Sequence, residues 1–261
     1  MIIDFDPVAF TIFGWGIHWY GLMYLLAFIG AWLLGRYRAK TPGSNWSVEQ
    51  VDDLIFYAGV GVVIGGRIGY TLFYNLPVFL NDPLIILRVW EGGMSFHGGL
   101  LGVLAALFLF KRRFQKRYFD VVDFFAPLVP FGIFTGRMGN FINGELWGKP
   151  TDLSWGMIFP AAGDQLLRHP NPLYEAFLEG VLLFAILWWF SSRPRPMMAV
   201  SGLFAICYGV FRFGIEFVRV PDAHIGYLAG GWFTMGMLLT LPLIVAGVVL
   251  LSFSYRKFSK T

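Results

Sequence analysis

Long apolar runs, most of them closed by a short basic cluster, alternate along the chain and set the expected elements. Uncharged runs of this length suit helices that cross a bilayer, which takes about 20 residues. The pattern predicts seven such helices, over residues 19–35, 51–74, 95–111, 119–141, 174–190, 201–218 and 230–253. Ser47 and Gln50 stand at capping-box spacing ahead of the second, and Pro127 and Pro130 should kink the fourth. Residues 75–91 hold too many breakers to span, Pro77 and Pro83 among them. Their Leu84, Ile85, Ile86, Leu87 and Trp90 suit a short re-entrant or surface helix in the membrane interface. Residues 143–171, with turn-like clusters of Gly, Pro, Asp and Trp, read as a small extracytoplasmic head inserted in one integral membrane domain over 1–261. The opening MIIDFDPVAF has neither a basic region nor a small-residue cleavage site ahead of the first long run, so no cleaved signal peptide is expected.

Composition narrows the class. With 57% hydrophobic and 14% charged residues and a mean hydropathy of +0.63, the chain has too few charges to cover a soluble surface of its size. The net charge of +4 does not point to nucleic acid, because the basic residues sit in clusters between apolar runs. Of the 20 Lys and Arg, 13 fall in segments expected on the cytoplasmic side, four (Arg88, Lys149, Arg168 and Arg219) outside, and three within spans. That bias predicts an all-α polytopic membrane protein of seven transmembrane helices, with the N-terminus outside and the C-terminus cytoplasmic, closing on Arg256, Lys257 and Lys260. Cys207 is the only cysteine, so no disulfide framework or cysteine metal site can form within one chain. No pair of histidines has metal-ligand spacing and no hydrolase triad is visible, so neither a metal nor a cofactor is expected.

One stretch breaks the apolar background. Residues 136–148, GRMGNFINGELWG, gather a guanidinium, amides and a carboxylate. Arg137 and Asn140 share a helix face at i, i+3, Gly136 and Gly139 permit close approach of backbone or ligand, and Asn143, Glu145 and Trp147 follow where the helix turns into a loop. Taken singly, each residue fits a snorkelling arginine or a capping amide. Two further arginines lie within spans: Arg67 in GGRIGY, and Arg212 on a stripe with Tyr208 and Glu216 at i, i+4 and i+8. A cation at membrane depth costs roughly 2.5 to 3.5 kcal/mol and usually marks a functional path. Glu216 can neutralise Arg212 as a structural pair, whereas Arg67 and Arg137 lack a helical carboxylate partner, which leaves positive charge for an anionic ligand. Phosphate matches the guanidinium fork, and within a bilayer the simplest phosphate ligand is an anionic phospholipid. His97 among the glycines of GGMSFHGG, Tyr20 and Tyr24 in HWYGLMY, and His169 in RHP are expected near the same outer level.

Over nearly its whole length the chain resembles the bacterial prolipoprotein diacylglyceryl transferase family. The family pattern G-R-x-[GA]-N-F-x-N-x-E-x-x-G is met at 136–148, and HWYGLMY, GGRIGY, GGMSFHGG and residues 201–216 also look like the family's. The resemblance implies a multi-pass enzyme of the bacterial inner membrane with its site toward the outer leaflet. Its partners would be phosphatidylglycerol, membrane lipids and the lipobox cysteine of a preprolipoprotein signal peptide. It would form a thioether and release glycerol 1-phosphate, and it carries function to Tyr20, His97, Arg137, Asn140, Glu145, Tyr208, Arg212 and Glu216. Arg67, Asn143, Gly148 and His169 join as substrate-binding candidates. The segment between Trp147 and His169 is shorter than in some members. In this chemistry arginines would stabilise a phosphate leaving group, and His97 would either take the thiol proton or orient the lipid. Two other classes fit parts of the pattern: a non-enzymatic lipid translocator, which needs polar residues at several depths, and a structural assembly factor, which explains neither the arginines nor the amides.

Overall fold

The computed structural model describes residues 1–221 and 226–258, with the side chains of all of these but Lys257 and Phe258. Lys260 lies outside the described residues. In chain order the elements are strands β1 (Val8–Ile12) and β2 (Trp15–His18), and helices α1 (Trp19–Ala39), α2 (Val48–Tyr74), α3 (Leu76–Asn81), α4 (Phe96–Arg113), α5 (Tyr118–Phe125) and α6 (Val129–Ile142). Strands β3 (Met157–Ile158) and β4 (Leu167–Arg168) precede α7 (Asn171–Glu175), which runs through a π-helical stretch, Ala176–Leu182, into α8 (Leu183–Phe190). Helix α9 (Ala199–Ile215), strands β5 (Tyr227–Ala229) and β6 (Phe233–Thr234) and helix α10 (Met235–Phe258) complete the order. Among the described residues, five helical stretches are long and apolar enough to cross a membrane: Trp19–Ala39, Val48–Tyr74, Tyr118–Ile142, Asn171–Phe190 and Met235–Arg256. The third and sixth expected spans correspond to α4, which ends on Lys111, Arg112 and Arg113, and to the 17-residue α9. The β1–β2 hairpin, turning at Phe13 and Gly14 with φ of 49° and 83°, has no counterpart in the sequence reading.

The chain forms two compact units. In the unit Trp32–Val122, α2 and α4 pack backbone to backbone through glycine. A Cβ added at Gly61 would lie 2.6 Å from the Gly102 carbonyl oxygen, and one at Gly69 would lie 2.7 Å from the Gly98 Cα. Small residues four apart let two helices touch where lipid offers no hydrophobic driving force. Helix α2 starts on the expected capping box: the Ser47 hydroxyl accepts from the Gln50 backbone N–H and the Gln50 side-chain Oε1 accepts from the Ser47 N–H, both at 3.2 Å. Residues 75–91 form α3 and two short 3₁₀ turns, with Leu80, Leu84, Leu87 and Trp90 exposed.

The other unit comprises Met1–Ala31 and the described residues from Asp123 onward. Helices α9 and α10 repeat the glycine solution, since a Cβ at Gly247 would lie 2.8 Å from the Gly202 carbonyl oxygen. The Asp123 carboxylate caps α9 from a distant part of the chain, accepting from the N–H groups of Met198 at 2.6 Å and Ser201 at 2.8 Å. The short strands β3 and β4 pair antiparallel. Ile3 and Ile158 add backbone hydrogen bonds that tie the N-terminus to them, and Ile3, Phe141 and Phe159 bury a small core beneath. The backbone bridge Pro150↔Arg168 closes this head on itself, and Gly148↔Arg219 fastens it to the segment after α9.

Candidate active site

Helix α6 delivers the 136–148 stretch. Its last turn closes with the Asn143 N–H on the Gly139 carbonyl at 3.0 Å, and Gly144 then takes a φ of +63° that an L side chain resists. This reversal brings Glu145 back over the helix end, with its N–H on the Asn140 carbonyl at 3.0 Å. A polar relay follows: Arg137 Nη1 donates to Asn140 Oδ1 at 3.3 Å, and Asn140 Nδ2 donates to Glu145 Oε1 at 2.8 Å. Asn143 Nδ2 reaches the same oxygen at 3.5 Å. Gly139 is needed for close approach, because a Cβ there would lie 2.9 Å from the Tyr20 ring, whereas Gly136 faces open space. The Tyr20 hydroxyl faces Asn140, Glu145 and Tyr24, and its ring meets that of Tyr24 edge to face at 5.2 Å.

Beyond the relay lies a network of three guanidiniums and three carboxylates. Glu175, fully buried, is its hub: Oε1 accepts from Arg212 Nη1 at 2.5 Å, Asn171 Nδ2 at 3.0 Å and Arg219 Nη1 at 3.4 Å. Its Oε2 ion-pairs with Arg137 Nε at 2.8 Å without hydrogen-bond alignment. Arg212 Nη2 donates to Glu216 Oε1 at 2.6 Å, and Glu216 Oε2 accepts from Thr234 Oγ1 at 2.6 Å. Thr234 Oγ1 in turn accepts the Met237 N–H, so the start of α10 is pinned to the network. Gly236 makes room, since a Cβ there would come within 2.6 Å of the Glu216 carboxylate. A cavity of about 40 Å³ beside Arg212, Glu216, Arg219 and Thr234 holds a few waters at most.

Arg137 therefore does not carry the surplus charge that its own helix implied, because Glu175 and Glu179 reach it from the Asn171–Phe190 stretch. Sequence reasoning missed both acids. The signal was available: two carboxylates one turn apart inside an apolar run are as costly as the arginines. Arg219, counted as an outside loop charge, also joins the network.

The remaining candidates sort by unit. Tyr208 stacks on Phe204 at 5.8 Å and faces Glu179 and Arg212. Gly148 admits two backbones, since a Cβ would lie 2.7 Å from both the His169 Cβ and the Val218 carbonyl oxygen. His169 Nδ1 lies 3.2 Å from the Tyr174 hydroxyl, which accepts from Trp155 Nε1 at 2.8 Å. Burial and then the neighbouring Lys149 hold the His169 imidazole below its ordinary pKa. In the other unit, the buried Arg67 donates to the carbonyls of Ile85, Ile86, Arg88, Gly92 and Gly93, so its partners are backbone oxygens of the loop it shapes. His97 is exposed in the first turn of α4, next to Ser95, whose hydroxyl accepts the Gly98 N–H at 3.2 Å.

Chemically, forked cations held by buried carboxylates can take phosphate oxygens in paired hydrogen bonds and stabilise added negative charge on them. The network's acids fix the forks in place, and the Asn140–Glu145 relay adds oriented polar groups at one edge. The family model described as "Prolipoprotein diacylglyceryl transferase" matches residues 7–253. A phosphatidylglycerol–prolipoprotein diacylglyceryl transferase of Oleidesulfovibrio alaskensis is 61% identical over 252 residues, covering 97% of this chain and 94% of that protein. Its namesake in Azotobacter vinelandii is 59% identical over 252 residues, covering 97% and 95%, and that of a Marinomonas species is 55% identical over 259 residues, covering 98% and 96%. With the match running from the first hairpin almost to the end of α10, the chain belongs to the prolipoprotein diacylglyceryl transferase family.

Proposed function

We propose that the chain is an enzyme that moves the diacylglyceryl group of phosphatidylglycerol onto the lipobox cysteine of a preprolipoprotein. The thiol sulfur attacks the glycerol carbon bonded to the phosphate ester oxygen, the carbon–oxygen bond breaks, a thioether forms and glycerol 1-phosphate leaves. The thiol proton is released, and the leaving phosphate gains negative charge. The single observation that carries this reading is the network of half-buried guanidiniums on buried carboxylates, joined to the 136–148 relay, on helices apolar enough to cross a membrane. Arg137, Arg212 and Arg219 stabilise the phosphate, while Tyr20, Asn140, Asn143 and Glu145 orient the glycerol and Tyr208 lines the same network. Glu216 holds Arg212 in place. Gly148 and His169, in the head, contact the peptide. A free thiol with a pKa near 8.5 is only about 3% ionised at pH 7, and His97 takes the role of its base, carried from the resemblance alone. Arg67 shapes the 85–93 loop through its carbonyl contacts.

The setting belongs to the same proposal: seven spans, N-terminus outside, C-terminus cytoplasmic, the 143–171 head extracytoplasmic, and the site toward the outer leaflet of the bacterial inner membrane. Phosphatidylglycerol radiolabelled in its headgroup glycerol tests the reaction. Water-soluble labelled glycerol phosphate should appear only when a lipobox peptide is present. Release without peptide, or of glycerol without phosphate, would refute it.

A further inference from the structure

Within the guanidinium network the acids are not equivalent. Glu175 and Glu216 accept hydrogen bonds from Arg212, Asn171 and Thr234. Glu179 is fully buried, and neither of its carboxylate oxygens has a hydrogen-bond partner. Its oxygens stand 3.7 Å from Arg137 Nη2 and 3.9 Å from Arg212 Nη1, close enough to feel both charges but too far to accept from either. A buried ionised carboxylate without hydrogen bonds is the least supported member of such a set. The charge tally adds a second argument. Arg137, Arg212 and Arg219 are offset one for one by Glu175, Glu179 and Glu216, so the network is neutral with all six ionised. A neutral network offers an incoming phosphodiester no net attraction, and the anion would add an uncompensated charge beside the buried carboxylates.

We propose that Glu179 takes up one proton when the anionic headgroup binds, so that the network becomes positive by one charge as a single negative charge arrives. The proton comes from solvent and no covalent bond changes in this step. The inference rests on the reading of phosphatidylglycerol as the lipid substrate. The groups facing Glu179 account for its selection. From α6 comes Arg137; from α9 come Arg212 and Tyr208; from its own helix comes Glu175, a like charge one turn away; Arg219 lies beyond. Removing the Glu179 charge relieves its repulsion with Glu175 and leaves part of the positive charge of Arg137 and Arg212 uncompensated for a phosphate, while Glu175, Asn140 and Glu216 still hold their forks. Glu175 cannot do the same without releasing Arg212 and Asn171. Glu179 is a positioning residue here, acting through the arginines.

The test is calorimetric titration of phosphatidylglycerol into the wild-type enzyme in nanodiscs of zwitterionic lipid, in buffers of different ionisation enthalpy. About one proton should be taken up per lipid bound, and above neutral pH the apparent Kd should rise by up to about tenfold per pH unit, the limit for one linked proton. Glu179→Gln, which imitates the neutral acid, should abolish the uptake and flatten the pH dependence, binding lipid more tightly than wild type at pH 9. Zero uptake by the wild type, or uptake undiminished in Glu179→Gln, would overturn the proposal. Should that variant fail to fold, the wild-type proton count still decides. A parallel transfer assay separates the two readings: active wild type with zero uptake sinks only the proton coupling, whereas wild type that neither binds the lipid nor transfers sinks the substrate reading and this inference with it.

Discussion

Arg137 is bracketed by Asn140 on one side and Glu175 and Glu179 on the other, so its fork is held before any ligand arrives. Lysine keeps the charge at this position but loses the planar five-donor geometry. Arg137→Lys should weaken phosphatidylglycerol binding and turnover together by about 1.5 to 3 kcal/mol, the worth of a charge-assisted hydrogen bond. Binding curves and initial rates on one preparation check this, and turnover lost with binding intact would restrict Arg137 to the reaction step. His97 should fail differently. His97→Gln should bind lipid nearly normally while turnover falls roughly 10² to 10⁴-fold, with partial recovery as raised pH supplies thiolate. Collapse of lipid binding, or no recovery with pH, would make His97 a headgroup-positioning residue instead. How far these residues could be read in advance depended on distance along the chain. The Arg137–Asn140 pairing follows from helical spacing within one element, whereas the Glu175 hub and the carbonyl cradle of Arg67 arise from segments far apart in sequence. Periodicity says nothing about such contacts.

At the scale of elements, the helix positions were legible because apolar runs and basic ends mark them, while the short strands were not. The hairpin at Val8–Ile12 and Trp15–His18 and the two-residue strands of the head depend on turns and cross-chain pairing, and leave no alternating pattern long enough to see. Helix packing offers a test with a predicted sign. Alanine usually stabilises a helix by about 1 kcal/mol relative to glycine. Gly99→Ala should show that gain, because its nearest neighbour would be the Val62 carbonyl oxygen at an ordinary 3.7 Å. Gly102→Ala should instead lower the thermal midpoint, because its methyl would strike the Gly61 backbone, which cannot rotate away. Equal midpoints for the two variants would contradict the backbone-to-backbone packing of α2 and α4. The head should respond to acid. Burial keeps the folded His169 pKa low, so the neutral ring's contribution is complete above the unfolded value of about 6.5 and is lost as pH falls through the folded one. Arg168 holds the Asp164 carboxyl below its ordinary value, a contribution present above about pH 3.9 and lost at still lower pH. Hydrogen exchange of amides 148–169 should therefore quicken, after correction for intrinsic rate, first as pH falls below about 6.5 and again below about 4. Protection that is flat across both windows would remove these side chains from the head's stability.

For the whole molecule, the distribution of Lys and Arg made a polytopic membrane chain legible from sequence alone, and the five long apolar helical stretches agree with it. The proposed orientation, with the head and the arginine network toward the outer side, rests on this charge bias. What the spacing of residues could not reveal is that the network is balanced, three guanidiniums against three carboxylates. That balance holds the guanidiniums in fixed positions and distinguishes the network from a cationic patch. The central claim is the transfer itself, and intact mass spectrometry of the acceptor tests it most directly. Purified enzyme is incubated with phosphatidylglycerol of defined acyl chains and a synthetic lipobox peptide. The peptide should gain the mass of one diacylglyceryl group, on its cysteine, through a bond that survives mild base once the ester-linked chains have been stripped. An unchanged peptide mass with folded, lipid-bound enzyme, or the same gain on a peptide whose cysteine is replaced by serine, would contradict the account.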